Sequence, residues 1–100
     1  MKEFKVTAQS PELVIELSGE IDAGNADEFF EEFEKSYQKP CKVIFECGKV
    51  EFIDSTTLGM FVKILKRVKS DGFTIQIKDL IPRLKKLFVI CSLDTIMEIV

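Results

Sequence analysis

Four polar residues in the middle of the chain are the side chains best placed to do chemistry. Asp54, Ser55, Thr56 and Thr57 lie between a segment with strand periodicity and a segment with helical periodicity. A helix start carries unpaired backbone N–H groups and a positive dipole end, and both can accept a phosphate group on a nearby hydroxyl. Asp and Ser are also common N-cap residues, so a purely structural role for Asp54 or Ser55 is the competing interpretation.

The residue types that would activate Ser55 for catalysis are missing. The sequence contains no histidine, which removes Ser-His-Asp and Cys-His catalysis and the commonest metal ligand. No GxSxG, P-loop or GxGxxG pattern is present. The three cysteines, Cys41, Cys47 and Cys91, lack the CxxC spacing of a zinc site. We therefore predict a protein that is not an enzyme, needs no metal or cofactor, and keeps its thiols free and mostly buried.

Length and composition are typical of one small folded domain. The 100 residues are 46% apolar, which predicts a single core over residues 1–100 and no second lobe. The formal net charge is −3, and no basic run with interleaved aromatic residues occurs, so we expect no direct nucleic-acid binding. The first residues lack a signal-peptide core, and no apolar run approaches the roughly 18 residues of a membrane span. We expect a cytoplasmic protein.

Hydrophobic periodicity places the polar junction in a series of strands and helices. Period-two patterns predict strands, and apolar residues three and four positions apart predict amphipathic helices. Asn25 and Glu28 have the spacing of a capping box, so the first helix should begin near Ala26 and end before Pro40. The remaining predicted elements are strands at 4–8, 13–17, 41–47 and 73–78, a helix at 56–69, a third helix with Leu80, Leu84, Leu87, Phe88 and Cys91 facing inward, and a strand or helical tail at 96–100.

The order of these elements is β-β-α-β-α-β-α with a short last element. This order predicts an α/β domain with a mixed, mostly parallel sheet of four or five strands packed with helices. The strands at 41–47 and 73–78 alternate apolar and polar residues, so one face of the sheet should be better covered than the other. Asp54-Ser55 at a helix start also resembles the attachment site of an acyl carrier, but the predicted strands argue against that all-helical fold.

The junction further resembles the signature of a known family. The segment from Phe52 to Gly59 is similar to the aromatic-apolar-Asp-Ser-Ser/Thr-Gly-Leu-Gly pattern of anti-sigma factor antagonists and other STAS-domain proteins, and residues 17–22 support the match. The resemblance spans nearly the whole chain and implies one STAS domain. It also implies phosphorylation of Ser55, with Thr56 as the alternative, by an anti-sigma factor that has serine-kinase activity. A metal-dependent serine phosphatase would reverse the reaction.

The resemblance implies a docking surface by which the unmodified protein binds the anti-sigma factor and releases its sigma factor. Glycine costs about 1 kcal/mol relative to alanine inside a helix, so Gly59 indicates a close approach either by the sheet or by a partner. Thr57 stands where the family pattern usually has glycine. That departure favours an alternative function, an accessory or sensory STAS module of a transporter or signalling complex without kinase control. The residues predicted to contact the partner are Asp22, Asp54, Ser55, Thr56, Thr57, Leu58 and Gly59.

Overall fold

After an initial hairpin, helices and strands alternate through the computed structural model, which describes residues 1–100. No helix is both long enough and apolar enough to cross a membrane. The elements are β1 (Phe4–Ala8), β2 (Leu13–Ile21), α1 (Ala26–Ser36), β3 (Val43–Ile53), α2 (Ser55–Ser70), β4 (Ile75–Lys78), α3 (Pro82–Ile90), a 3₁₀ turn (Leu93–Thr95) and β5 (Glu98–Ile99).

The five strands form one sheet in the order β1-β2-β3-β4-β5. β1 and β2 pair antiparallel, and every later pair is parallel. Parallel neighbours need a crossover connection, and α1, α2 and α3 supply these connections in turn. The predicted mixed, mostly parallel α/β sheet is therefore confirmed, and the last element is a strand.

All three helices share one apolar core on the same face of the sheet. Phe61 on α2 joins them, because its ring lies 5.8 Å from Phe29 on α1, 5.2 Å from Phe45 on β3 and 5.8 Å from Phe88 on α3. Strand residues that point to the other face, such as Ile44 and Gln76, are only partly buried. The domain has two layers, as the alternating strand patterns predict.

Two strands are longer than their sequence patterns predict. β2 continues past Leu17 to Ile21, and β3 continues past Cys47 to Ile53. Strict alternation fails in the β3 extension, where pairs of exposed residues separate Cys47, Val50 and Ile53, and the β2–β3 register shifts twice, between Glu16 and Ser18 and between Gly19 and Glu20. Gly19 has a φ of +73°, which glycine adopts readily. The extensions carry both strands directly into the loops that contain the predicted site.

Four further predictions are wrong in detail. The thiols are not mostly buried, because only Cys47 is inside, while Cys41 is partly exposed and Cys91 is exposed. Burial raises the pKa of the Cys47 thiol to about 12. Cys91 does not face inward because α3 ends at Ile90, one residue before it. β4 begins at Ile75 rather than at residue 73, and α3 begins at Pro82 rather than near residue 80.

Candidate functional site

The two loops that follow β2 and β3 meet at the same edge of the sheet because these strands are parallel neighbours. Asp54 joins the loops through its side chain. Its Oδ1 atom accepts a hydrogen bond from the backbone N–H of Thr57, and its Oδ2 atom accepts one from the N–H of Ala23, each with an N to O distance of 2.9 Å. One carboxylate thus caps α2 and also holds the loop that precedes α1.

Hydrogen bonds to the ionised form lower the pKa of the Asp54 carboxyl. The bond from the Thr57 N–H is the largest cause, and the bonds from the Ala23 N–H and the Thr57 hydroxyl act in the same direction. Partial desolvation opposes them. Asp54 is therefore a fixed anion at neutral pH, and the N-cap interpretation is right for this residue.

The loop between β2 and α1 is held by its own side chains. The Asn25 Oδ1 atom accepts from the backbone N–H of Asp22 at 2.9 Å, and its Nδ2 atom donates to the Glu20 carbonyl at 2.9 Å. Asp22 in turn accepts from the backbone N–H of Gly24 at 2.8 Å. Asn25 precedes α1, but its side chain makes no capping bond to the helix, so the predicted capping box with Glu28 is wrong. Asn25 instead orders the loop, which places the partly buried Asp22 beside the start of α2.

Two of the predicted contact residues lie inside the protein. The Thr57 side chain is 0% exposed, and Leu58 is 6% exposed and belongs to the core. The Thr57 hydroxyl lies 2.6 Å from the Ile21 carbonyl oxygen and 3.0 Å from Asp54 Oδ1. Their side chains therefore cannot line a docking surface in this conformation. The threonine at the position of the family glycine also places no side chain on the surface beside Ser55.

Ser55 and Thr56 differ from Thr57 because both are exposed. They are the first two residues of α2, and their hydroxyls form no hydrogen bond within the protein. The first turn of α2 contains no acidic residue. Backbone N–H groups at a helix start and the helix dipole both favour an anion there. The start of α2 thus presents free hydroxyls where added negative charge can be accepted.

Gly59 faces open space rather than the sheet. A Cβ atom built at this position would meet nothing within 4 Å, so close packing inside the protein does not explain the glycine. It lies in a shallow groove between α1 and α2, together with Thr56, Met60 and Phe30. Lys63 closes one end, with its Nζ atom 4.1 Å from the centre of the Phe30 ring. The groove continues the exposed surface that Ser55 and Thr56 begin.

Two other kinds of site would be alternatives to this edge: a metal centre and a second cavity. No three His, Cys, Asp or Glu side chains lie close enough together to hold a metal ion. A larger cavity of about 290 Å³ lies at the opposite edge of the sheet, between the hairpin and the end of α1. It is lined by Ser10, Pro11 and Gln38, among others, and includes none of the predicted site residues.

Sequence reasoning missed the groups through which the site is tied together. Two of these groups are the backbone N–H of Ala23 and the backbone carbonyl of Ile21. Every residue has such groups, so the residue types in the sequence do not reveal which of them form hydrogen bonds with the site. Asn25 gave a recognisable signal, but the signal was assigned to the helix rather than to the loop. The arrangement is a surface with exposed, unbonded hydroxyls beside two loops that are joined by hydrogen bonds, which is typical of a binding module.

Comparisons with known proteins agree with this class. The STAS domain family model matches residues 3–100, and the chain belongs to the STAS domain family. It is 31% identical over 88 residues to the anti-sigma-B factor antagonist of Bacillus subtilis, which covers 88% of this chain and 81% of that protein.

Solved structures share the fold. An anti-sigma-factor antagonist (STAS) domain protein from Planctomyces limnophilus superimposes with a TM-score of 0.85 at 20% identity, covering 96% of this chain and 87% of the other. The Bacillus protein SpoIIAA has been solved in a phosphorylated form, with a TM-score of 0.71 at 17% identity, covering 97% of this chain and 88% of the other. Its unphosphorylated form, an anti-sigma factor antagonist, gives a TM-score of 0.79 at 17% identity and covers 97% and 85%.

Proposed function

We propose that this protein is an anti-sigma factor antagonist that binds an anti-sigma factor and is switched off by phosphorylation of Ser55. The family membership and the relative from Bacillus subtilis support the choice of partner. In this role the protein is a binding partner and a substrate, not a catalyst. The partner acts on a sigma factor, so the proposal places both proteins in the cytoplasm.

The observation that carries the proposal is the exposed, unbonded hydroxyl of Ser55 at the first position of α2. A kinase needs a hydroxyl that it can reach, and it must not first break a hydrogen bond that holds the protein together. Thr57 fails on both counts, because it is buried and its hydroxyl is bonded. Thr56 is also exposed and unbonded, so it remains the alternative acceptor.

The docking surface in this proposal consists of Asp22, Asp54, Ser55, Thr56 and Gly59. Phosphorylation adds about −1.5 to −2 charges at Ser55, next to the Asp54 carboxylate and near Asp22. Like-charge repulsion and the cost of desolvating the phosphate then oppose docking. The phosphoprotein is the inactive form, and a metal-dependent serine phosphatase restores the active one.

The test uses the anti-sigma factor with serine-kinase activity from the source cell, captured by the unmodified protein. Incubation with ATP and this kinase should add one phosphate, and phosphopeptide mapping should place it on Ser55. Ser55→Ala should take up no phosphate and still bind the kinase, and Thr56→Ala should be phosphorylated like the wild type. Phosphate on Thr56 with Ser55 unmodified would show that Thr56, and not Ser55, is the acceptor.

Absence of any kinase that modifies the chain would favour the unregulated STAS module of a transporter or signalling complex. The sequence feature that favours that alternative is Thr57 in place of the family glycine. Because the Thr57 side chain points inward, it does not obstruct access to Ser55. The kinase-regulated function is therefore the better supported of the two.

A further inference from the structure

Thr57 is fully buried, although its side chain carries a hydroxyl. Its hydroxyl contacts two oxygen atoms, the Ile21 carbonyl at 2.6 Å and Asp54 Oδ1 at 3.0 Å. Ile21 is the last residue of β2, and Asp54 lies between β3 and α2. A single hydroxyl thus touches the ends of both strands that carry the site.

The chemistry of this contact is restrictive. A carbonyl oxygen and an ionised carboxylate can only accept hydrogen bonds, whereas a threonine hydroxyl has one hydrogen to donate. The Ile21 carbonyl oxygen and Asp54 Oδ1 must therefore share that hydrogen, and both oxygen atoms are held close to the Thr57 hydroxyl. A buried polar group that loses its partner is destabilised, so this arrangement resists any movement of Asp54 away from the end of β2.

Asp54 passes this constraint on to both sides of the site. Its Oδ2 atom accepts from the N–H of Ala23, and its Oδ1 atom accepts from the N–H of Thr57, each at 2.9 Å. If the carboxylate rotated, the loop at 22–25 and the first turn of α2 would lose their only side-chain bridge. Ser55 lies directly between Asp54 and Thr56 in that turn, so the position of its backbone depends on the same contacts.

We propose that Thr57 is a positioning residue for Ser55. Its hydroxyl holds the Asp54 carboxylate against the end of β2, and this fixes the phosphoacceptor turn relative to the loop at 22–25. The inference rests on the proposed function for its kinetic consequence, but not for its structural one. Thr57 contacts neither the kinase nor the phosphate, and it acts through Asp54.

The experiment compares Thr57→Val, which keeps the shape and removes the hydroxyl, with Thr57→Ser, which keeps the hydroxyl. Thr95→Val is the matched control, because Thr95 is exposed and its hydroxyl bonds only within its own 3₁₀ turn. Amide hydrogen exchange at Ala23 reports the bridge to Asp54 directly. The steady-state rate of phosphorylation shows whether loss of this bridge affects the reaction at Ser55.

We expect Thr57→Val to exchange the Ala23 amide at least about tenfold faster and to lower kcat/KM for phosphorylation about tenfold or more, since small misplacements of a reacting group are costly. The loss should include kcat, because a misplaced Ser55 reacts more slowly even in the bound complex. Thr57→Ser should restore both values, and Thr95→Val should match the wild type.

A Thr57→Val protein with a lower melting temperature but wild-type Ala23 exchange and wild-type kcat/KM would overturn the inference, since Thr57 would then serve stability alone. If Thr57→Val does not fold, the wild type still decides, because an Ala23 amide that exchanges as fast as in an unstructured peptide would refute the bridge. Wild-type protein that shows no phosphorylation, together with faster Ala23 exchange in Thr57→Val than in Thr57→Ser, would instead refute the proposed function and support the structural role of Thr57.

Discussion

The helices α1 and α2 begin side by side at the same edge of the sheet, yet their first turns are built differently. The first turn of α1 contains Asp27 and Glu28, which already supply the negative charge that a helix start favours. The first turn of α2 contains no acidic residue and presents the hydroxyls of Ser55 and Thr56. Only α2 therefore presents free hydroxyls in its first turn, next to the Asp54 carboxylate that caps it.

The residues that precede the two helices differ in the same way. Asn25 directs its side chain back into its own loop, whereas Asp54 caps its helix and also reaches across to Ala23. The start of α1 is thus a self-contained support, and the start of α2 is joined to it. In the proposed function, α2 carries the regulated group, and the loop before α1 supports the surface beside it.

The largest expected effect follows from placing charge at the start of α2. Phosphorylation of Ser55 should weaken binding to the anti-sigma factor more than a hundredfold, which needs a loss of only about 3 kcal/mol at the interface. Ser55→Asp should cause an intermediate loss because it carries one charge, and Ser55→Ala should still bind. Titration calorimetry measures affinity, and circular dichroism should show a nearly unchanged thermal transition for each form.

Gln9→Glu is the control for that experiment, because it adds one negative charge at an exposed position on the opposite edge of the sheet. It should bind like the wild type. Equal affinities for the wild type, Ser55→Asp and the phosphoprotein would contradict the switch and remove the functional distinction between the two helix starts.

A smaller effect should follow from breaking the support at the start of α1. Asn25→Ala removes the bonds to Asp22 and Glu20, and we expect it to lower the free energy of unfolding by about 1–2 kcal/mol. The Asp22 amide should also exchange faster with solvent. Urea denaturation and hydrogen exchange measure the two results.

Gln76→Ala is a suitable comparison, because it removes only an exposed side-chain bond to Glu98. A change within about 0.5 kcal/mol is expected for it. If Asn25→Ala changed stability no more than Gln76→Ala, the loop at 22–25 would not depend on Asn25, and the contrast with Asp54 would disappear.

Gly59 allows a third test, in which stability and binding should change in opposite directions. Gly59→Ala should raise the free energy of unfolding by about 0.5–1 kcal/mol, because the added methyl group meets open space in a helix interior. Binding to the anti-sigma factor should nevertheless weaken if the partner enters the groove. Thermal denaturation and calorimetry on the same preparation separate the two effects.

Gly72→Ala provides the contrast among glycines. Gly72 has a φ of +90°, so alanine there is strained and should destabilise the protein. A Gly59→Ala protein that is more stable and binds with unchanged affinity would take Gly59 out of the docking surface.

The smallest expected effect concerns pH, because water reaches part of Asp54 and screens its interactions. The folded pKa of Asp54 lies below its unfolded value, which is about 3.9 for an aspartate. Its contribution to stability is therefore fully present above that value and is lost as the pH falls through the folded pKa. Melting temperatures measured from pH 6 to pH 2 should decline less steeply for Asp54→Asn than for the wild type.

Asp27→Asn is the charge-matched comparison for this series, since Asp27 is exposed and accepts no hydrogen bond from another residue. An acid transition in Asp54→Asn as steep as that of the wild type would show that the Asp54 hydrogen bonds contribute nothing to acid stability. The cap of α2 would then be no stronger than the start of α1.

The features that could be predicted from sequence are those that repeat along the chain. The alternation of Phe73, Ile75 and Ile77 and the helical spacing of Phe29, Phe30 and Phe33 reflect the periods of strands and helices, so element types and their order were accessible. The polar run at residues 54–57 was recognisable because such residues are unusual between two apolar elements. The end of β3 was not accessible, because its exposed pairs of residues break the period of two, and the end of β2 was not accessible, because Gly19 interrupts its apolar pattern.

The sequence by itself determined the α/β class and the polar sheet-to-helix junction, because these depend on residue type and local spacing. The choice of Ser55 as phosphoacceptor rests on the family resemblance and stays a prediction. Only the tertiary structure decided which neighbours of Ser55 have exposed side chains. Thr56 and Thr57 are adjacent threonines, yet the first is exposed and the second is buried against Ile21, a residue 36 positions away. Contacts between residues so far apart in the sequence depend on how the parallel strands bring their ends together. A local sequence pattern contains no information about this arrangement.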